Sequence, residues 1–89
     1  MNKNLVLRHR QYCRSLLRKL KEQPCSECGN SFPSIVMDFH HINPATKFKG
    51  VSQLATQGSL IRMLKEIEKC ILLCANCHRL RTYEEKLGV

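Results

Sequence analysis

The sequence predicts a small α+β domain stapled by a metal ion, and three observations predict it. The chain has 89 residues, room for one domain whose core is too small to be comfortably stable without a staple. Helical periodicity at the start, middle and end of the chain alternates with two short strand-like runs. Four of the six cysteines form two Cys-x-x-Cys pairs, Cys25/Cys28 and Cys74/Cys77, which is the spacing of metal ligands rather than of a disulfide framework.

Residues 3–23 read as a helix. Tyr12, Cys13, Leu16, Leu17 and Leu20 make one apolar stripe, while Arg10, Arg14, Arg18 and Lys21 recur on a cationic one. Pro24 ends the helix, because the residue before a proline avoids the helical region. A knuckle follows at Cys25-Ser-Glu-Cys28-Gly29. Residues 35–42, with Ile35, Val36, Met37 and Phe39, suit a strand closed by Pro44. Residues 43–58 read as a long loop with about one turn of helix, a length that is usually functional or mobile. Ser59 is placed to cap a helix running to Lys69 with Leu60, Met63, Leu64 and Ile67 buried. A short apolar strand at residues 70–73 leads into the second knuckle, and His78 opens a last helix with Leu80, Tyr83 and Leu87 on its inner face. The organisation is a basic helix over residues 1–23 followed by a domain over residues 24–89, in one compact unit.

Thiolates are soft ligands suited to tetrahedral zinc, and a two-residue spacer lets both sulfurs of a knuckle reach one ion. Two knuckles close a four-sulfur site with no open position, so this zinc is expected to be structural. The competing interpretation is free or redox-active cysteines. Cys13 and Cys70 remain, on apolar faces, as small buried hydrophobes.

The formal charge is +8 and the sequence pI about 9.5, which favours a polyanion; nucleic acid comes first and an anionic membrane second, without a lipidation motif to support it. Much of the charge lies in the first helix, whose cationic stripe has a plain alternative as a solvated face. The N-terminal residues hold no apolar run long enough for a signal peptide, and residues 70–75 are too short to cross a membrane. These features predict an intracellular chain with reduced thiols, not a secreted one.

A second polar constellation is Asp38-Phe39-His40-His41-Ile42-Asn43-Pro44, together with His78 directly after the last cysteine. The knuckles pull residues 25, 28, 74 and 77 together, and so draw this strand toward the start of the last helix. Phosphodiester hydrolysis needs a base to take a proton from water and a cation to offset charge on phosphoryl and leaving oxygens. His40, His41 and His78 supply groups for both. In a regular strand His40 and His41 point to opposite faces, so convergence requires the strand to end or twist there. Otherwise His41 is a buried, hydrogen-bonded histidine and His40 a surface one.

Three segments taken together resemble the HNH endonuclease family: Cys25-x-x-Cys28, residues 38–44, and Cys70-Ile-Leu-Leu-Cys74-Ala-Asn-Cys77-His78-Arg79. The resemblance spans about Pro24 to Arg81 and leaves the basic helix outside it. It implies a ββα-metal (His-Me finger) core carrying the four-cysteine zinc knuckle pair, with His41 as general base. It also implies that His40 and His78 are ligands of a catalytic divalent ion, which in the family is Mg²⁺, Mn²⁺, Ni²⁺ or Zn²⁺. Asp38 is a candidate to orient His41 or to support the metal shell. Lys69 stands about where the family has its central asparagine, a departure that leaves the group orienting His41 to be identified. The implied activity is DNA cutting or nicking; on the charge pattern, Arg10, Arg14, Arg18, Lys21, Arg79 and Arg81, joined by Lys47 and Lys49, are expected to grip phosphates. The alternatives are a non-catalytic zinc module binding DNA or protein, and RNA cleavage by the same chemistry. Small members are often phage-encoded, which implies packaging (terminase) proteins as partners in a host cytoplasm, for a monomer or a dimer.

Overall fold

A computed structural model describes residues 3–88; residues 1, 2 and 89 of the two expected segments lie outside the described residues. Four helices accompany one two-stranded antiparallel sheet: α1 (Lys3–Leu20), β1 (Met37–His41), α2 (Val51–Thr56), α3 (Leu60–Ile67), β2 (Cys70–Cys74) and α4 (Ala75–Lys86). The protein is thus a small α+β chain with a cluster of four cysteines. None of its helices, among the described residues, is long and apolar enough to cross a membrane.

The first helix stops at Leu20, and the N–H of Lys21 turns back to the carbonyls of Leu17 and Arg18 at 3.1 Å each. Its buried stripe is narrower than the sequence predicts. Cys13 and Leu17 are buried, Leu16 and Leu20 are half-buried, and Tyr12 is exposed. Ile35 and Val36 are not in the strand; they form a 3-10 turn, Ser34–Val36, with Ile35 in solvent.

The segment expected as a loop holds more structure than one turn. A 3-10 turn, Pro44–Thr46, is capped by the Asn43 side chain, which accepts from the Ala45 N–H at 3.0 Å. The helix α2 follows because Val51, Leu54 and Ala55 recur at i, i+3 and i+4, and all three are buried. They meet Cys13 and Leu17 of α1 and Met63 of α3 in one apolar core. Ser59 stands at the N-cap of α3, but its side chain caps nothing; α3 ends at Ile67, and Glu66 is buried where Leu64 is exposed.

β1 and β2 pair from Met37 opposite Cys74 to His41 opposite Cys70, and the Ile42 N–H extends the pairing to the Lys69 carbonyl at 3.0 Å. The sheet builds a second core from Cys25, Met37, Leu72, Leu73 and Cys74. Half-buried Phe39 packs against both cores. The last helix begins at Ala75, three residues before His78, with Cys74 at its N-cap. Leu80, Tyr83 and Leu87 do not face inward; they are 60%, 62% and 58% exposed. The physical reason lies in β1. Its face toward α4 carries Asp38 and His40, so α4 turns its polar side, His78 and Glu85, onto the sheet.

Candidate metal centre and histidine cluster

The sulfurs of Cys25, Cys28, Cys74 and Cys77 all lie within 4.8 Å of one another. A tetrahedral zinc with bonds of about 2.3 Å needs sulfurs about 3.8 Å apart, so the cluster has metal-binding geometry. Local structure explains the convergence. Gly29, at φ +75°, turns the first knuckle, and its N–H reaches the Cys25 carbonyl at 2.9 Å. Cys74 and Cys77 are the N-cap and third residue of α4, which places both sulfurs on one side of its first turn. The Ser26 N–H donates to the Leu72 carbonyl at 2.9 Å, tying the first knuckle to β2.

The donor set has the chemistry of a structural metal such as zinc. Burial pushes the Cys25 thiol up, but the N–H groups of Cys28, Cys74 and Glu27 outweigh it and hold the group at about 6. Hydrogen bonding with the Cys74 sulfur, then burial and the other two sulfurs, push Cys77 up to about 12. Four sulfurs so close cannot all carry charge unless a cation sits among them. Cys13 is fully buried and Cys70 half-buried. Burial raises the Cys13 thiol, and burial followed by the charge of Glu66 pushes Cys70 up to about 11.

The polar cluster divides between two faces of β1. His40 and His78 meet edge to face with ring centres 5.0 Å apart. His40 Nε2 lies 2.9 Å from Glu85 Oε1, and His78 Nδ1 lies 3.0 Å from Asp38 Oδ2. Each imidazole therefore has a carboxylate on one nitrogen, leaving Nδ1 of His40 and Nε2 of His78 to other partners. Carboxylates hold the second nitrogen of many metal-binding histidines in this way. Among the described residues, the four cysteines are the one group of three or more potential ligands whose atoms converge. An ion on the histidines would have two imidazole ligands and otherwise water or substrate.

His41 lies on the other face, because the strand stays regular to its end. The residue is 8% exposed, and its Nε2 is 2.8 Å from Glu66 Oε2. Glu66, 2% exposed, also takes the Lys69 ammonium at 2.6 Å and the Phe48 N–H at 3.3 Å. Burial opposes its ionisation, yet the bonds from Lys69, His41 and Phe48 and the Lys69 charge prevail and hold it at about 2. An ionised carboxylate only accepts, so His41 carries a proton on Nε2, and in the neutral imidazole Nδ1 is then the acceptor. Lys69 also donates to the Thr46 carbonyl at 2.9 Å, strapping down the chain that follows β1.

Asp38 thus serves His78, and the carboxylate on His41 is Glu66. Sequence reasoning missed Glu66 and Glu85. The signals were present: Glu66 falls three residues after Met63 on the buried side of α3, and Glu85 lies two turns after His78.

Of the expected phosphate contacts, Arg10, Arg14, Arg18 and Arg79 are exposed and Lys21 is half-buried. Arg14 and Arg18 line a groove of about 690 Å³ between α1 and α2, opposite Ser52 and Thr56. Arg81 is engaged within the chain, 3.4 Å from Glu27 and 4.0 Å from Glu85. No family model, curated protein or solved structure matches the chain.

Proposed function

We propose that this chain is a metal-dependent DNA endonuclease or nickase of the HNH kind, built on a ββα-metal core with a structural zinc on the four cysteines. The observation that carries the proposal is the meeting of His40 and His78 across β1 and α4, each backed by its own carboxylate. In this reading, Nδ1 of His41 takes a proton from water and the water oxygen bonds to phosphorus. The bond from phosphorus to the 3′ oxygen breaks, leaving a 5′-phosphate end. Glu66 fixes the tautomer of His41 and offsets the charge of the imidazolium that forms. With Lys69 it takes the orienting role of the family's central asparagine. A divalent ion on His40 and His78 (Mg²⁺, Mn²⁺, Ni²⁺ or Zn²⁺) would offset charge on the phosphoryl and departing oxygens. Asp38 and Glu85 hold the two ligand rings in place. The arginines of α1 and Arg79 grip the DNA backbone without reading sequence. Packaging (terminase) partners and a host cytoplasm belong to the same proposal, on the family resemblance.

Supercoiled plasmid tests it. Zinc-loaded protein with Mg²⁺, Mn²⁺ or Ni²⁺ relaxes the plasmid and His41→Ala does not; intact plasmid with every ion sinks the proposal. A second reading, a zinc module that binds nucleic acid or protein without cutting, is favoured by one observation: His41 is buried and hydrogen-bonded to a buried carboxylate on the face opposite His40. It predicts bound DNA, no cutting and one metal per chain in excess divalent ion. Competing DNA and RNA substrates separate the two nuclease activities.

A further inference from the structure

Phe48 has a firmly held backbone and a ring left in solvent. Its N–H bonds to Glu66 Oε2 at 3.3 Å, the same oxygen that holds His41 at 2.8 Å, while the residue is 58% exposed. Two cations lie over the ring, with Lys49 Nζ 5.6 Å and the Arg62 guanidinium carbon 5.8 Å from its centre. Beside it is a hollow of about 380 Å³ lined by Phe48, Arg62, Lys65, Glu66 and Lys69. The single acid in that lining is already bonded to Lys69, His41 and the Phe48 N–H. Among the described residues Lys49, Arg62 and Lys65 pair with no carboxylate. An incoming anion therefore meets unopposed positive charge around an exposed aromatic ring that only cations overlie.

We propose that Phe48, with Lys49, Arg62 and Lys65, is a stacking seat for an unpaired nucleobase of a single-stranded polynucleotide. The proposal rests on the reading that this chain acts on nucleic acid, and adds that one strand is engaged unpaired next to the carboxylate of His41. The chemistry selects this ligand. A base within a duplex has both faces covered by its neighbours, so an aromatic side chain stacks only on a base that has left the stack. A cation holds an exposed ring more weakly than a base stacks on it. The base displaces Lys49 and Arg62 from the ring, and these cations, with Lys65, take the flanking phosphates. An acidic peptide would satisfy the cations and leave the ring unused.

The chain has no tryptophan, so Phe48→Trp gives a single fluorescent reporter at the seat. The zinc-loaded full chain is titrated with a short oligo-dT strand, its oligo-rU counterpart, a blunt DNA duplex and polyglutamate, without added divalent ion so that nothing is cut. Oligo-dT is expected to quench the tryptophan strongly and the duplex and polyglutamate weakly. Quenching by oligo-rU too shows that the seat takes base and phosphate irrespective of sugar. Phe48→Leu keeps the apolar bulk and is expected to weaken oligo-dT binding about ten-fold, with duplex affinity unchanged. Arg62→Ala combined with Lys65→Ala weakens oligo-dT binding and flattens its salt dependence. Unchanged oligo-dT affinity in Phe48→Leu, or equal losses for strand and duplex, overturns the seat. Cutting of plasmid by a chain that fails these tests removes the seat alone; failure to bind any nucleic acid removes the proposed function with it.

Discussion

Glu66 is where a single change should be felt most clearly. Glu66→Gln keeps the shape of the side chain and removes its charge. The Lys69 ammonium at 2.6 Å loses its anion, and one amide oxygen must serve both the His41 and Phe48 N–H groups. The depression of the carboxyl from 4.5 to about 2 corresponds to at most about 3 kcal/mol. The Lys69 side chain is 34% exposed, so water screens part of this, and we expect a loss of about 2 kcal/mol. In a domain of this size that lowers the melting temperature by roughly 10 °C. The assay is thermal or urea unfolding of both proteins at saturating zinc and neutral pH. Acid adds a signature. The folded-state pKa lies below the unfolded one, so the stabilisation is complete above about 4.5 and disappears as the pH falls toward 2. The two proteins carry the same cysteines, so loss of zinc in acid affects both. Their difference in stability should hold from neutrality to about pH 5 and shrink below it. Lys69→Met should then cost less beside Glu66→Gln than in the wild type. Equal melting of the two proteins at neutral pH, or a difference that persists unchanged at about pH 3, would refute the argument.

Four further outcomes can be measured. Cys25→Ser or Cys77→Ser should lose the zinc and with it on the order of 10 kcal/mol of folding free energy, read as lost metal by elemental analysis and lost cooperative melting. His41→Ala should stay folded and zinc-loaded and stop nicking, but it takes a partner from buried Glu66 and should lose about 1–2 kcal/mol in the same melts. Arg14→Ala with Arg18→Ala should weaken DNA binding on all sequences alike and reduce the slope of log affinity against log salt by about 2. Glu85→Gln frees the ring of His40 and should weaken divalent-ion binding about ten-fold by calorimetry, with the four-cysteine zinc undisturbed.

The cysteine pattern foretold the metal cluster because ligand spacing is short-range information: two residues between sulfurs fix their reach whatever the rest of the chain does. The ends of α1 and β1 were legible within a few residues for the same local reasons. Three features were not, and each depends on contacts distant in sequence. The helix α2 has a stripe of only three residues, Val51, Leu54 and Ala55, between Gly50 and Gly58, and it becomes convincing only against Cys13 and Leu17. The inward face of α4 is polar because Asp38 and His40 meet it, which an expectation of apolar packing inverts. The separation of His41 from His40 follows from plain strand alternation, but its partner Glu66 comes from a helix 25 residues later.

Phe39 gives the two cores a common wall. One core gathers around Cys25 and Cys74 of the clamp and the other between three helices, and a domain this small gains from joining them. A single ring seated in both makes them mechanically continuous. Loosening the cysteine clamp should then slacken the grip on α1, although no clamp cysteine lies on that helix. An ion on the clamp would thereby bear on the arginines of α1, and the rigidity of the basic arm would report whether the clamp is closed.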